Sequence, residues 1–264
     1  MAKAMPPSKS LENDDELLEA GSLTLLGHLN ELRIRLTYVA VAMLVTTAFS
    51  FAFAEPMLHY LLGPYAESVN GVVELQTLEP TEGIETFFKV SLLAGSALAM
   101  PVILYQFWQF VVPGLTRDER RYIYIFLPTT LLLFALGILF AWLVLIPAAV
   151  FFLANFLGTI FKTDWTPSGY IGFVLRMLFW IGLAFEMPVI VYFIARVGVV
   201  TARTLREQWR FAVVGIAVLA AIITPSIDPV TMMLTMAPLL VLYVLSIGLA
   251  VIGQRQFERS VAID

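Results

Sequence analysis

Apolar residues run through this chain in long blocks, and that blocking limits what it can fold into. A hydrocarbon core of about 30 Å takes about 20 apolar helical residues to cross. Six stretches meet or approach that length: about Leu36 to Ala54, Ile84 to Val112, Tyr122 to Ala148, Tyr170 to Ala195, Phe211 to Ile223 and Met232 to Ile252. Hydrophobic residues make up 59% of the chain and charged ones only 14%, whereas a soluble domain carries about 25% charged residues to cover its surface. The expected class is an all-α membrane protein of six transmembrane helices. Between spans three and four, Asn155, Lys162 and Asp164 make Ala149 to Trp165 too polar for another span, and it reads as an extension of span three beyond the membrane.

Cationic residues set the orientation. Lys3, Lys9, Arg33 and Arg35 precede span one; Arg117, Arg120 and Arg121 lie between spans two and three. Arg196, Arg203, Arg206 and Arg210 lie between spans four and five, and Arg255 and Arg259 follow span six, while the opposite loops hold only Lys162. Both termini are expected in the cytoplasm. Residues 1–22 read as a polar, acidic, disordered tail without the apolar core or cleavage site of a secretory signal, so span one is expected to serve as targeting signal and anchor. The six-span core is then 23–253, and 254–264 a cytoplasmic tail.

Span five is short. Its thirteen apolar residues between Arg210 and Thr224 reach only ~20 Å at about 1.5 Å per residue, so it must thin the bilayer, pack behind neighbours or draw its flanks inward. Pro101, Pro128, Pro147, Pro188 and Pro238 fall in or near spans, where each frees a carbonyl and can bend the helix. A curved, uneven bundle follows, with no repeat between its halves. The loop from about Glu55 to Gly83 contains Glu67, Glu74, Glu79 and Glu82 but no Lys or Arg, and reads equally as an ordered cap or a solvated connector.

Chemistry is sparse. There is no Cys, and His28 and His59 are the only histidines, which leaves any multi-histidine metal site short of ligands. P-loop, HExxH and GxSxG patterns are absent, as is a Ser-His pair within the spans, so no enzyme, cofactor or direct use of ATP is indicated. In residues 25–36, Leu25, Leu29, Leu32 and Leu36 recur at helical spacing, giving an amphipathic helix that leads into span one. Glu31 and Arg35 stand there at i and i+4, worth a few tenths of a kcal/mol; pattern alone favours an interfacial helix with basic anchors. Pro113-Gly114 breaks the chain after span two and Glu119-Arg120-Arg121 restarts it. The arginines serve topology. Glu119 either complements a helix start or faces a cationic ligand, and pattern alone favours the first.

Lys89, Arg176 and Glu186 are the ionisable residues inside spans. Lys89 can pair with Glu85, and Arg176 can snorkel. Glu186 lies ten residues beyond Arg176, about 15 Å along the axis and out of pairing range. Carboxyls at such depth are rare and face a bundle interior, a wet cavity or a partner. The expectation is a neutral carboxyl, or one hydrogen-bonded to a neighbouring helix, exposed on a concave face as a docking point for a partner span. The structural alternative is a carboxyl satisfied by the carbonyl that Pro188 frees.

Taken together and in order, these residues resemble the TatC family, the multi-spanning subunit of the twin-arginine protein translocase. From about Leu25 to Gly253 the marks are His28-Leu29-x-Glu31-Leu32-Arg33-x-Arg35, Pro101-Val-x-x-Tyr105-Gln106-x-Trp108-x-Phe110, Pro113-Gly114-Leu115 and Glu119-Arg120-Arg121. Phe185-Glu186-x-Pro188, Thr224-Pro225, Asp228-Pro229 and Pro238 follow. The acidic tail before Leu23 lies outside the pattern. The resemblance implies recognition of export signals carrying two consecutive arginines, with Glu119 and Glu31 as the signal-reading carboxylates and Phe110, Arg120 and Arg121 supporting them. It also implies single-span partners of the TatA and TatB kind, other copies of the chain itself, and export of folded proteins driven by the proton-motive force. Spans five and six would then be short partner-docking surfaces beside thinned bilayer. A proton- or ion-coupled solute carrier using Glu186 with Lys89 or Arg176 is the alternative, and few polar residues exist to line its pathway. An intramembrane hydrolase lacks a catalytic pair.

Overall fold

The computed structural model describes residues 9–69, 75–111, 123–156, 165–224 and 228–261. Lipid offers no hydrogen bonds, so a spanning chain must pair its backbone internally, and helix is the regular structure throughout the described residues. Helix α1 (Lys9–Ser50) continues through a 3-10 turn at Phe51–Phe53 into α2 (Ala54–Leu61), followed by α3 (Gly63–Val69). The helical backbone thus extends back through the acidic tail to Lys9. Next come α4 (Glu82–Val111), α5 (Ile123–Phe140) and α6 (Ile146–Asn155), the last two joined by a π-helical turn at Ala141–Leu145. Helices α7 (Pro167–Ala184), α8 (Met187–Arg196), α9 (Ala202–Glu207), α10 (Trp209–Ile223) and α11 (Pro229–Val261) complete the chain.

Five continuous helical segments are long and apolar enough to cross a membrane: 27–68, 82–111, 126–155, 167–196 and 229–258, with α10 as a shorter apolar helix. The 15 residues of α10 reach about 22 Å at the helical rise. Only this first of the two expected short helices is short. Asp228 accepts from the Thr231 amide at 2.7 Å and caps the start of α11, which is 33 residues long and runs on past Ile252, the end of the apolar run, through Gln254 and Arg255. Span three likewise continues to Asn155, whose exposed side chain donates back to the Phe151 carbonyl at 2.8 Å and so pairs part of its amide within the helix.

Prolines account for the breaks. Pro147 has no N–H for the Leu143 carbonyl, and the helix widens into its π turn at that place. Pro188 likewise leaves the Ala184 carbonyl without its partner. There the Phe185 amide donates to Ile181 O and the Glu186 amide to Leu183 O, both at 3.1 Å. Helix α8 restarts with Val189 and Ile190 donating to Glu186 O, also at 3.1 Å.

Without a hydrophobic drive between helices in lipid, close backbone approach and packing hold a bundle together. Helix α1 lies along α4, α8 along α11, and α7 touches both α4 and α5. Where α1 crosses α4, a Cβ on Gly95 would stand 2.5 Å from the Thr47 Cα, and Thr46 Oγ1 donates to the Gly95 carbonyl at 2.7 Å. Helix α7 is the most enclosed, with Ile171, Phe173, Val174, Met177 and Ile181 buried. The loop of 55–83 is an ordered cap in its described part. Tyr170 donates to the Leu61 carbonyl at 2.9 Å, Tyr65 stacks on Trp165 at 4.8 Å, and the buried Glu82 carboxylate accepts from the Leu78 amide at 3.0 Å and the Ser168 amide at 3.1 Å. Glu82 therefore fixes the starts of α4 and α7 side by side.

Gly95→Leu should force α1 from α4 and lower the midpoint of thermal unfolding in detergent, or abolish monodisperse protein. Gly215→Leu on α10, where a Cβ meets nothing within 4 Å, should leave the midpoint unchanged. Equal midpoints for the two variants would contradict the crossing.

Candidate functional site

The polar cluster that the sequence assembles lies where α1 meets the Val111 end of α4. His28 stacks on Phe110, with ring centroids 4.4 Å apart and planes 23° from parallel. One turn on, Glu31 accepts from Arg35 Nε at 3.0 Å and pairs with its Nη2 as well. Arg35 Nη1 reaches across to Gln106 Oε1 on α4 at 3.3 Å. The second Glu31 oxygen stands 3.9 Å from His28 Nδ1. Arg35 thus ties the carboxylate to α4, while the Glu31 side chain stays 31% exposed. A groove of about 340 Å³ lined by Gly27, Asn30, Glu31, Ile34, Arg35 and Tyr38 opens beside it. Chemically this is a carboxylate that already holds a planar guanidinium, next to an aromatic face and accessible from outside.

Glu31 and Phe110, expected together, are brought together through His28. Glu119, Arg120 and Arg121 lie outside the described residues; they fall within the segment that links Val111, next to Phe110, to Ile123. Arg35 and Gln106 were missed as site residues. Sequence order treated Arg35 as an intrahelical partner only, and 71 residues separate it from Gln106; their presence in one set of motifs was the available signal.

Glu186 occupies a different place. It is 1% exposed, at the break between α7 and α8, and not on an open concave face as expected. The walls that cover it come from α4 and α5: Met100, Leu104, Trp108 and Thr130 line, with Glu186, a cavity of about 150 Å³. Neither carboxyl oxygen has a hydrogen-bond partner among the described residues, so the freed Ala184 carbonyl does not satisfy it. Trp108 Nε1, on the same cavity wall, is also buried without a partner, though its ring stacks on Phe126 at 5.1 Å and meets Phe193 edge-on. Leaving a buried polar group unpaired costs about 1–3 kcal/mol. Two such groups on one small cavity make it a place where a polar group from outside would be stabilised.

The pairing needed by a carrier is not formed. Lys89 binds Glu85 at 2.5 Å, Arg176 Nε donates to the Gly172 carbonyl at 3.1 Å, and both line a cavity separate from that of Glu186.

Comparison with known proteins agrees with this arrangement. Residues 27–238 match the family described as Sec-independent protein translocase protein (TatC). The chain is 38% identical to the Sec-independent protein translocase protein TatC of Aquifex aeolicus over 89% of its own length and 97% of that protein. It is 37% identical to the Synechocystis protein of the same name, covering 89% of this chain and 90% of the relative. The chloroplastic TATC protein of Oryza sativa is 41% identical over 90% of this chain, which spans only 64% of that longer relative. A solved structure described as the twin arginine translocase receptor TatC superposes with a TM-score of 0.79 at 38% identity, covering 86% of this chain and 99% of that one. With its all-helical architecture and these matches, the chain belongs to the TatC family of Sec-independent protein translocase proteins.

Proposed function

We propose that this chain is the signal-reading core subunit of a twin-arginine translocase. It binds the arginine pair of export signals at the Val111 end of α4 and, with single-span partners, nucleates export of folded proteins driven by the proton-motive force. The observation that carries this reading is the half-open Glu31 carboxylate, which already binds the Arg35 guanidinium beside the His28–Phe110 stack. A guanidinium pairs with a carboxylate through two charge-assisted hydrogen bonds, a geometry that lysine does not match. Glu119 supplies the second carboxylate, nine residues after Phe110 in the chain, with Arg120 and Arg121 flanking it.

Glu119→Ala should weaken binding of a synthetic twin-arginine peptide about tenfold or more, since a charge-assisted hydrogen bond is worth about 1.5–3 kcal/mol. Glu31→Ala should weaken it less, because Arg35 competes for that carboxylate. Unchanged affinity in the folded Glu119→Ala protein would remove that residue from the site. The reading also places both termini and the Arg117–Arg121 segment in the cytoplasm, from the distribution of cations. A single cysteine at position 118, introduced into a chain that has none, should resist an impermeant thiol reagent applied outside intact cells.

Partner contact belongs to two places. Helix α10 buries Ile216, Ala220 and Ile223 but exposes Phe211, Val214, Val218 and Ile222 along one face, a lipid-side stripe suited to a partner span. Glu186, with both oxygens unpaired, suits a hydrogen-bonding side chain carried by such a span once the cavity widens. Cysteines at 211, 214, 218 and 222 should crosslink to a single-span partner, and those at 216, 220 and 223 should not. Glu186→Gln should retain most transport because an amide still donates and accepts, whereas Glu186→Ala should bind signal peptide yet lose transport or partner recruitment. If Gln fails as badly as Ala, ionisation of Glu186 is required and the hydrogen-bonding role is wrong.

A further inference from the structure

Between α4 and α7, near the ends fixed by Glu82, lies a cavity of about 370 Å³ that the signal-reading site does not use. Its walls include Leu92, Leu93, Leu175 and Phe179, and both Lys89 and Arg176 face it. Lys89 is seven residues into α4 from Glu82, and Arg176 eight residues into α7 from Ser168, so at about 1.5 Å per residue both stand roughly 10–12 Å below that contact. The two helices run in the same direction from it. Side chains on a helix lean toward its N-terminus, so both cations rise toward the same membrane surface. Arg176 Nε bonds the Gly172 carbonyl one turn above, and Lys89 bonds Glu85 one turn above. Glu85 answers the charge of Lys89, while no carboxylate among the described residues pairs with Arg176.

The space beside Gly172 is open: the residue lines the wall, and a Cβ there would meet nothing within 4 Å. The rim residues Leu92 and Arg176 are exposed. Two cations that lean toward the surface where α4 and α7 begin, with an apolar slot beside them, complement the charge and the shape of an acidic phospholipid. We propose that this cavity binds an anionic phospholipid of the leaflet at which α4 and α7 begin, its phosphate between Arg176 and Lys89 and one acyl chain against Leu92, Leu175 and Phe179. On the proposed topology this is the outer leaflet. The lipid would seal the seam between α4 and α7 without touching the Glu31 site at the other end of α4.

Native mass spectrometry of the purified chain, titrated with phosphatidylglycerol or phosphatidylcholine, tests this directly. The wild type should retain phosphatidylglycerol about tenfold more tightly than phosphatidylcholine, given what a cation near an anionic headgroup contributes. Lys89→Gln combined with Arg176→Gln should erase that preference with helicity by circular dichroism unchanged. Gly172→Phe, which fills the slot and leaves both cations in place, should weaken retention of phosphatidylglycerol and decides the matter if the double variant does not fold. Equal retention of the two lipids by the wild type, an undiminished preference in the folded double variant, or displacement of phosphatidylglycerol by millimolar inorganic phosphate would each overturn the proposal.

Discussion

Hydrocarbon supplies no hydrogen bonds, and most of this structure follows from that shortage. Each span pairs its backbone within itself, and hydroxyls in the spans bond back one turn, as Thr86, Ser91, Thr130 and Ser246 do to the carbonyls of Glu82, Phe87, Phe126 and Leu242. At Pro147 and Pro188 the chain widens or turns and resumes within a few residues, whereas Pro101, Pro128 and Pro238 lie inside continuous helices. Polar groups that find no partner are then conspicuous. Glu186 and Trp108 are two of these, and they meet on one cavity.

The same shortage explains how α1 is placed. Much of α1 faces outward, with Leu36, Val41, Leu44 and Phe49 exposed, and it is held to the bundle mainly along α4. The Gly95 approach and the Thr46 hydrogen bond set that contact midway; His28, Arg35, Gln106 and Phe110 set it at the end. Holding α1 there puts Glu31 beside the end of α4 from which the Glu119 segment departs. On the proposed reading, this crossing is what anchors the first of the two signal-binding carboxylates.

The all-helical build from long apolar stretches and the short α10 were legible because hydrophobic runs and the helical rise suffice to place them. Glu31 and Phe110 were legible as motif residues, but their meeting through His28 was not, since a ring stack across 82 residues of chain leaves no periodic trace. The length of α11 was missed because its polar end carries no apolar signal, and helix continues there on local hydrogen bonds such as Gln254 to Glu258 at 2.9 Å. Depth of burial at Glu186 was misjudged for a related reason. A lone carboxyl in an apolar run announces itself, but whether α4 and α5 cover it depends on crossings that a single sequence does not encode locally.

What most directly tests the central assignment is a photoreactive residue placed next to the arginine pair of a signal peptide, crosslinked to the chain in membranes and mapped by mass spectrometry. Adducts are expected on the His28–Arg35 stretch of α1, around Phe110 and on the segment carrying Glu119, and they should disappear when the peptide's arginines are replaced by lysines. Adducts confined to α10 or α11, or an unchanged pattern with the lysine peptide, would contradict recognition of the arginine pair at this end of α4.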